Sequence, residues 1–502
     1  MDARHNTALV MTTRRVALDI PTRLRHFVRP RLLILLLATV VCPGAVWWQA
    51  ARVRSPIGIV IISLDTTRAD RLSVYGFMDA TMPHLERLAR EGTVFDQAIS
   101  VAPLTLPAHC SLFTGLFPPA HGVRDNADQP LASEQTTLAE ILRGHGFRTG
   151  AFVGSIVLDE YRGLAQGFDH YSGVRVSEDR ATAEAPQRRA DEVVTDATRW
   201  LDGIAGSRFF LWAHLYDPHR PYDPPEPFRS RYTDRYVGEL AFVDSQIGRL
   251  LEALDRRKLL DRTIVVVVAD HGESLGDHGE RDHGIFVYES VMRVPLIIRG
   301  PTVLPGRIAD VVRLVDVMPT VLDLLNLARP PTDGVSLVAT MRGAPRQLDL
   351  EAYSESLYPQ RFGWSSLRSL RSGRYKLIDA PRPELYDLEQ DPFEERNIYN
   401  ERRDLAALLK QRLAALERSE RARSEVGDEN VPSAELQQRL APLGYVGSRE
   451  TPASPHADDL PDPKDCVAGA GSLEELPVRA NMHCGRIVNR FVVRPGATTT
   501  SR

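Results

Sequence analysis

The chain has 502 residues, enough for one large α/β domain and a smaller companion, and its 43% apolar and 25% charged residues are ordinary for a globular protein. The formal net charge of −4 gives no signal for nucleic-acid binding. Four scattered cysteines, Cys42, Cys110, Cys466 and Cys484, contain no CxxC pair, which excludes a disulfide scaffold and a cysteine zinc site. Cys466 and Cys484 could pair if the C-terminal tail is extracytoplasmic.

Residues 1–31 carry seven arginines against Asp2 and Asp19, and the run Leu32–Trp48 has no charge at all. A basic flank before an apolar stretch predicts a cytoplasmic N-terminal segment (1–31) and a transmembrane anchor or signal segment (32–48). All that follows is then exported to the periplasm or the extracellular space. A retained anchor leaves the protein on the membrane; cleavage leaves it secreted.

Beyond the linker, IGIVIISL (57–64) is a short β-branched apolar run that ends in Asp65. MPHLERLAREG (82–92) has helical spacing and stops at glycine. In APLTLPAHCSLFTG (102–115), Pro107 suits the first turn of a helix near Thr105. TTLAEILRGHG (136–146) reads as a helix, RTGAFVG as a strand and ADEVVTDATRWLDGI (190–204) as a helix. Phe209–His214 is another buried strand that runs into polar residues. A long amphipathic helix (236–256) leads to Ile264–Val268, a strand that ends in Asp270-His271-Gly272. Val294–Gly300 is one more strand.

Strands alternating with helices predict a large, mostly parallel α/β sheet over residues 56–345. Three strands ending in Asp or His would place those groups along one edge, where open α/β sheets hold ligands. Carboxylates and imidazoles there are good ligands for a divalent metal. A hydroxyl at a helix N-terminus, such as Thr105, would be a nucleophile beside it. Residues 346–400 predict a small α+β subdomain of short strands. Residues 401–450 read as a helical extension with Leu405, Leu408, Leu409, Leu413 and Leu416 on one face, and 451–502 as a mostly disordered tail.

The motifs LDTTRADRLSVYG, TLPAHCSLFTG, HGVRDN, DPHRPY, ADHGESLGDHG and ELYDLEQDPFEERN, in this order over residues 56–400, resemble the sulfatase family of the alkaline phosphatase superfamily. That resemblance implies an alkaline-phosphatase-like sandwich with a smaller C-terminal domain. It also implies hydrolysis of a sulfate ester, with phosphoester or phosphonoester hydrolysis or phosphotransfer as the alternative. Asp65, Asp270 and His271 fall on metal-ligand positions, with Thr105 on the nucleophile position and in the metal shell. His109 replaces the arginine of the nucleophile motif. His219 falls on a substrate-contacting histidine, and His283 replaces a lysine that grips the anionic group. His109, His219, His278 and His283 are thus the expected substrate-binding residues, the first two and His283 also catalytic. Thr66 stands where many relatives have a second metal-binding aspartate. Threonine cannot be converted to formylglycine, so the expected cofactor is one divalent ion (Ca, Mn, Zn or Mg) without that modification. A catalytically silent binding protein is the reading from a different class.

Overall fold

The computed structural model describes residues 56–174, 187–344, 348–421 and 460–467. The basic segment and the apolar run lie outside the described residues. Among those described, no helix is long and apolar enough to cross a membrane.

Three strands form the centre: β1 (Gly58–Leu64), β5 (Phe209–Leu215) and β6 (Thr263–Ala269), every residue of each buried. That burial explains their unbroken apolar sequences, since neither face meets water. They belong to an eight-stranded sheet of order β4-β3-β5-β1-β6-β7-β2-β8, completed by β2 (Thr93–Ile99), β3 (Arg148–Val153), β4 (His170–Ser172), β7 (Arg293–Arg299) and β8 (Gly306–Arg313). Strand β7 runs antiparallel to both its neighbours, and the other pairings are parallel.

Register fixes where the polar strand ends meet. Leu64 lies opposite both Leu215 and Ala269, so Asp65 and Asp270 leave the sheet at the same level. The ladder continues one step further, Asp65 N donating to Leu215 O (3.0 Å) and Asp270 N to Leu64 O (3.4 Å).

The helices expected from sequence are α1 (Pro83–Glu91), α2 (Thr105–Thr114), α3 (Leu138–Gly144), α4 (Ala190–Gly203) and α5 (Arg235–Arg256). Asp234 caps α5 by accepting from Tyr236 N and Val237 N, and Thr137 and Glu140 form a capping box at α3.

A second, antiparallel sheet has the order β12-β11-β10-β9, built from β9 (Glu351–Ser356), β10 (Leu367–Ser372), β11 (Tyr375–Asp379) and β12 (Glu384–Asp387). Helix α6 (Arg403–Arg421) packs on it through buried Ala406, Leu409 and Leu413. Leu408 is 43% exposed and leaves the expected apolar face, because position 408 points a full 100° away from Leu409 on a helical wheel.

Within the tail expected to be mostly disordered, residues 460–467 are described. Pro463, Cys466 and Val467 are buried in a short helix, α7 (Pro463–Val467). Lys464 Nζ lies 2.8 Å from Glu384 of β12, and Asp462 accepts from Arg382 N. Long-range ion pairs and three buried side chains order a stretch whose local composition reads as coil. Cys466 is disulfide-bonded; Cys484, its expected partner, lies outside the described residues, as does the rest of the helical extension.

Candidate active site

Asp65 follows β1 and Asp270 follows β6, so adjacent parallel strands deliver two carboxylates to one point. Both side chains are buried, and Asp65 Oδ1, Asp65 Oδ2 and Asp270 Oδ2 have no hydrogen-bond partner. Burial pushes the Asp270 carboxyl up to about 7, with the Asp65 charge adding to the shift, and burial raises Asp65 as well. Two adjacent, uncompensated carboxylates are unstable without a cation. His271 closes the set: its Nε2 lies 3.6 Å from Asp270 Oδ2 and 3.8 Å from Asp65 Oδ1. Its Nδ1 is 2.9 Å from Gly272 O. A carbonyl only accepts, so Nδ1 carries the proton and Nε2 offers its lone pair to the cluster. Asp65, Asp270 and His271 thus present two oxygens and a nitrogen within 4.8 Å of one another, a donor set that fits a divalent metal.

Thr105 opens α2 and is buried, with its Oγ1 3.4 Å from His271 Nε2. Leu104 makes no side-chain cap. Instead the next amide, Leu106 N, donates to Asn126 Oδ1 at 2.8 Å. Thr66 takes φ +48°, and its carbonyl accepts from the Tyr236 hydroxyl at 2.7 Å.

Two histidines stand behind the carboxylates. His109, one turn along α2 from Thr105, has Nδ1 2.7 Å from Thr105 O and Nε2 2.9 Å from Ser63 Oγ. Both its nitrogens are committed and it has no exposure; its Nδ1 lies 3.7 Å from Asp270 Oδ2, and with His214 and Asp270 it makes a second group whose donor atoms lie within 4.8 Å of one another. Burial pushes it down to about 3, so it stays neutral. His214, near the end of β5, was not nominated from sequence; its Nε2 lies 3.4 Å from Asp65 Oδ2. Gly154 N donates to its Nδ1 at 3.4 Å, so the ring proton sits on Nε2, which makes no hydrogen bond. The signal was available, since His214 ends a buried strand just as Asp65 and Asp270 do.

The other side of His271 carries a row of rings. His283 lies 4.5 Å from His271 between ring centroids, and His219 lies 5.0 Å from His283. His283 Nδ1 meets Glu273 Oε1 at 3.1 Å, and Tyr222 donates to Glu273 Oε2 at 2.9 Å. His219 is held by Arg220 O (2.7 Å from Nδ1) and stacks on Tyr216. These contacts fix each ring through Nδ1 and leave Nε2 for other partners. Burial pushes His283 down to about 4 and lowers His219. Glu273 was also missed in the sequence; its place depends on the 273–283 loop folding back on itself.

His278 does not join this row. Its ring stacks on Tyr288 with centroids 3.6 Å apart, its Nε2 is 3.2 Å from Phe393 O, and its φ is +55°. Gly276 and Gly279 form a turn around it, which sets it apart from the rings expected to bind substrate with it.

A mixed, mostly parallel sheet whose edge carries Asp, Asp, His and Thr, with an antiparallel sheet beside it, is an architecture like that of the alkaline phosphatase superfamily. A family model described as Sulfatase matches residues 58–327, and one described as N-sulphoglucosamine sulphohydrolase, C-terminal, matches residues 276–419. The chain belongs to the sulfatase family.

Among curated relatives it is 27% identical to an ulvan-active sulfatase of Formosa agariphila, over 79% of this chain and 86% of that protein. It is 26% identical to a choline-sulfatase of Rhizobium meliloti, over 63% and 77%. Among solved structures, that of BT4656 with its substrate D-glucosamine-2-N,6-O-disulfate superposes with a TM-score of 0.64 at 23% identity, over 75% of this chain and all of that one. A phosphonate monoester hydrolase of Agrobacterium radiobacter gives 0.61 at 23% identity, over 75% and 99%.

Proposed function

We propose that this chain hydrolyses a sulfate ester, or a related anionic ester, by attack of the Thr105 hydroxyl, with one divalent metal held by Asp65, Asp270 and His271. The observation that carries the reading is the Thr105 oxygen at 3.4 Å from His271, beside two buried carboxylates with unpartnered oxygens. A metal bound there would lower the hydroxyl pKa and offset charge on the ester oxygens.

The residues then divide the work. Thr105 forms the new bond to sulfur or phosphorus and the bond to the leaving oxygen breaks. His283, with Nδ1 fixed on Glu273, takes the threonine proton on Nε2 and returns it to the leaving alcohol. His219 binds the non-bridging oxygens. Water gives its proton to His283 and attacks the threonyl ester, and Thr105 departs with that proton.

A second reading has one specific observation behind it. A threonyl ester carries a single oxygen on Cβ, so release requires attack at sulfur or phosphorus itself. This favours a phosphoester or phosphonoester substrate, or an acceptor alcohol in place of water. The arginine-rich segment ahead of an apolar run supports placing the activity outside the cytoplasm, on a membrane anchor.

The test is turnover of 4-nitrophenyl sulfate against bis(4-nitrophenyl) phosphate by the full chain, with Mn²⁺ or EDTA. Metal-dependent release from either, lost in Thr105→Ala, supports the reading and identifies the ester. Release that survives both EDTA and the substitution contradicts it.

A further inference from the structure

Three consecutive residues at the end of β9 each reach a different segment of the site. Ser354 Oγ donates to Ser100 O at 2.6 Å, and Ser100 Oγ donates to the carbonyl of Asp270. Glu355 takes Arg124 on both oxygens, with Arg124 Nε at 2.7 Å. Two residues on, Asn126 accepts Leu106 N, the amide directly after Thr105. Ser356 Oγ donates to the carbonyl of Gly284, directly after His283. All three β9 residues are buried.

The segment Arg124-Asp125-Asn126 makes the middle limb stiff. Asp125 pairs with Arg361, between β9 and β10, at 2.5 Å, and the Asn126 carbonyl accepts from buried Arg162 at 2.5 Å. Each residue is therefore held from a different direction, and the acceptor that caps α2 has little freedom. This is the HGVRDN motif, whose residues take no part in the chemistry above.

We infer that β9 is a brace: Ser354, Glu355 and Ser356 are positioning residues that hold the metal-ligand strand end, the nucleophile turn and the His283 loop in mutual register. The inference rests on the proposed roles of Thr105, Asp270 and His283. A charged pair of half-buried Arg124 and fully buried Glu355 is costly to desolvate and adds little net stability, but it fixes geometry. A displacement of about 1 Å at a reacting group costs roughly a hundredfold in rate. The second sheet is then part of the catalytic apparatus.

Hydrogen exchange by mass spectrometry on the full chain, with kinetics on whichever nitrophenyl ester it turns over, tests this. In Glu355→Gln, exchange should rise about tenfold in peptides covering residues 104–110, with β1 and β6 peptides unchanged. Ser356→Ala, a one-atom deletion that keeps the fold, should raise exchange only around residues 280–286. Both should lower kcat with KM within about twofold. Exchange at those peptides equal to wild type, or rising uniformly along the chain, would overturn the brace. Thr105→Ala separates the two claims: it should abolish turnover without altering exchange at 280–286. Turnover that persists in that variant removes the proposed nucleophile and leaves the exchange result standing on its own.

Discussion

His271 Nε2 stands 3.4 Å from the Thr105 hydroxyl and 3.6 Å from Asp270 Oδ2, one lone pair shared between a nucleophile and an acid. That sharing makes sense only if the two carboxylates are neutralised. Without a cation, Asp65 and Asp270 face each other with unpartnered oxygens.

Asp270→Asn should therefore separate function from stability. The substitution removes one buried charge from an uncompensated pair. The metal-free variant should melt higher than metal-free wild type, by about 1–3 kcal/mol. Its Mn²⁺ affinity should fall by about a hundredfold. Calorimetric titration and thermal melts of stripped protein check both signs together.

The histidine row gives a substrate-dependent expectation. His283→Ala should lower kcat by about 10²–10⁴ on alkyl esters, which need a proton on the leaving oxygen. The loss on 4-nitrophenyl esters should be smaller, because nitrophenolate leaves unaided and only the base role of His283 is then missing. His278→Ala, which removes a ring stacked on Tyr288 and its contact with Phe393 O, should leave kcat/KM within about threefold. Equal losses for the two ester types would remove His283 as the acid.

His121 sets an acid limit on stability that has nothing to do with the metal. It is buried, accepts from Val123 N at 3.1 Å and lies 2.9 Å from Ser111 Oγ. Burial pushes it down to about 3, against an upward pull from Glu355 and with help from the Arg124 charge. The unfolded chain takes up its proton near the ordinary value of 6.5, while the folded chain does not. Its contribution is therefore fully present above pH 6.5 and is lost as pH falls toward 3. Between pH 7 and 4, wild type should lose about 2–3 kcal/mol more than His121→Asn, as read by denaturant melts at each pH.

The centre of the fold was legible because burial on both faces leaves an unmistakable composition. Ile59–Leu64, Phe209–Leu215 and Ile264–Ala269 carry no alternation, and each runs into an acid or a histidine. Strand β2 was not legible. Its TVFDQAI sequence holds Asp96 and Gln97, and the pairing shifts register between Phe95 and Ala98, so no period survives. Strand β8 hides behind Arg307 and Asp310 at the sheet edge.

In the site, Asp65, Thr105, Asp270 and His271 come together as their motif positions imply. His109 and His278 stand apart from the His219–His283 row, for different reasons. Helical phase turns His109 inward beneath Thr105, and a left-handed turn sends His278 toward Tyr288 and Phe393. Asn126 and Glu355 were out of reach, because each acts through one hydrogen-bonding atom on a partner distant in sequence. No local pattern encodes such a contact.

The central claim is that Thr105 carries the ester group during turnover. Peptide mass spectrometry of enzyme quenched with acid during turnover of a nitrophenyl ester tests it most directly. The expected result is a sulfuryl or phosphoryl mass increment on Thr105, absent from Thr105→Ala and from EDTA-treated enzyme. Turnover with the increment on another side chain, such as Cys110, would contradict it.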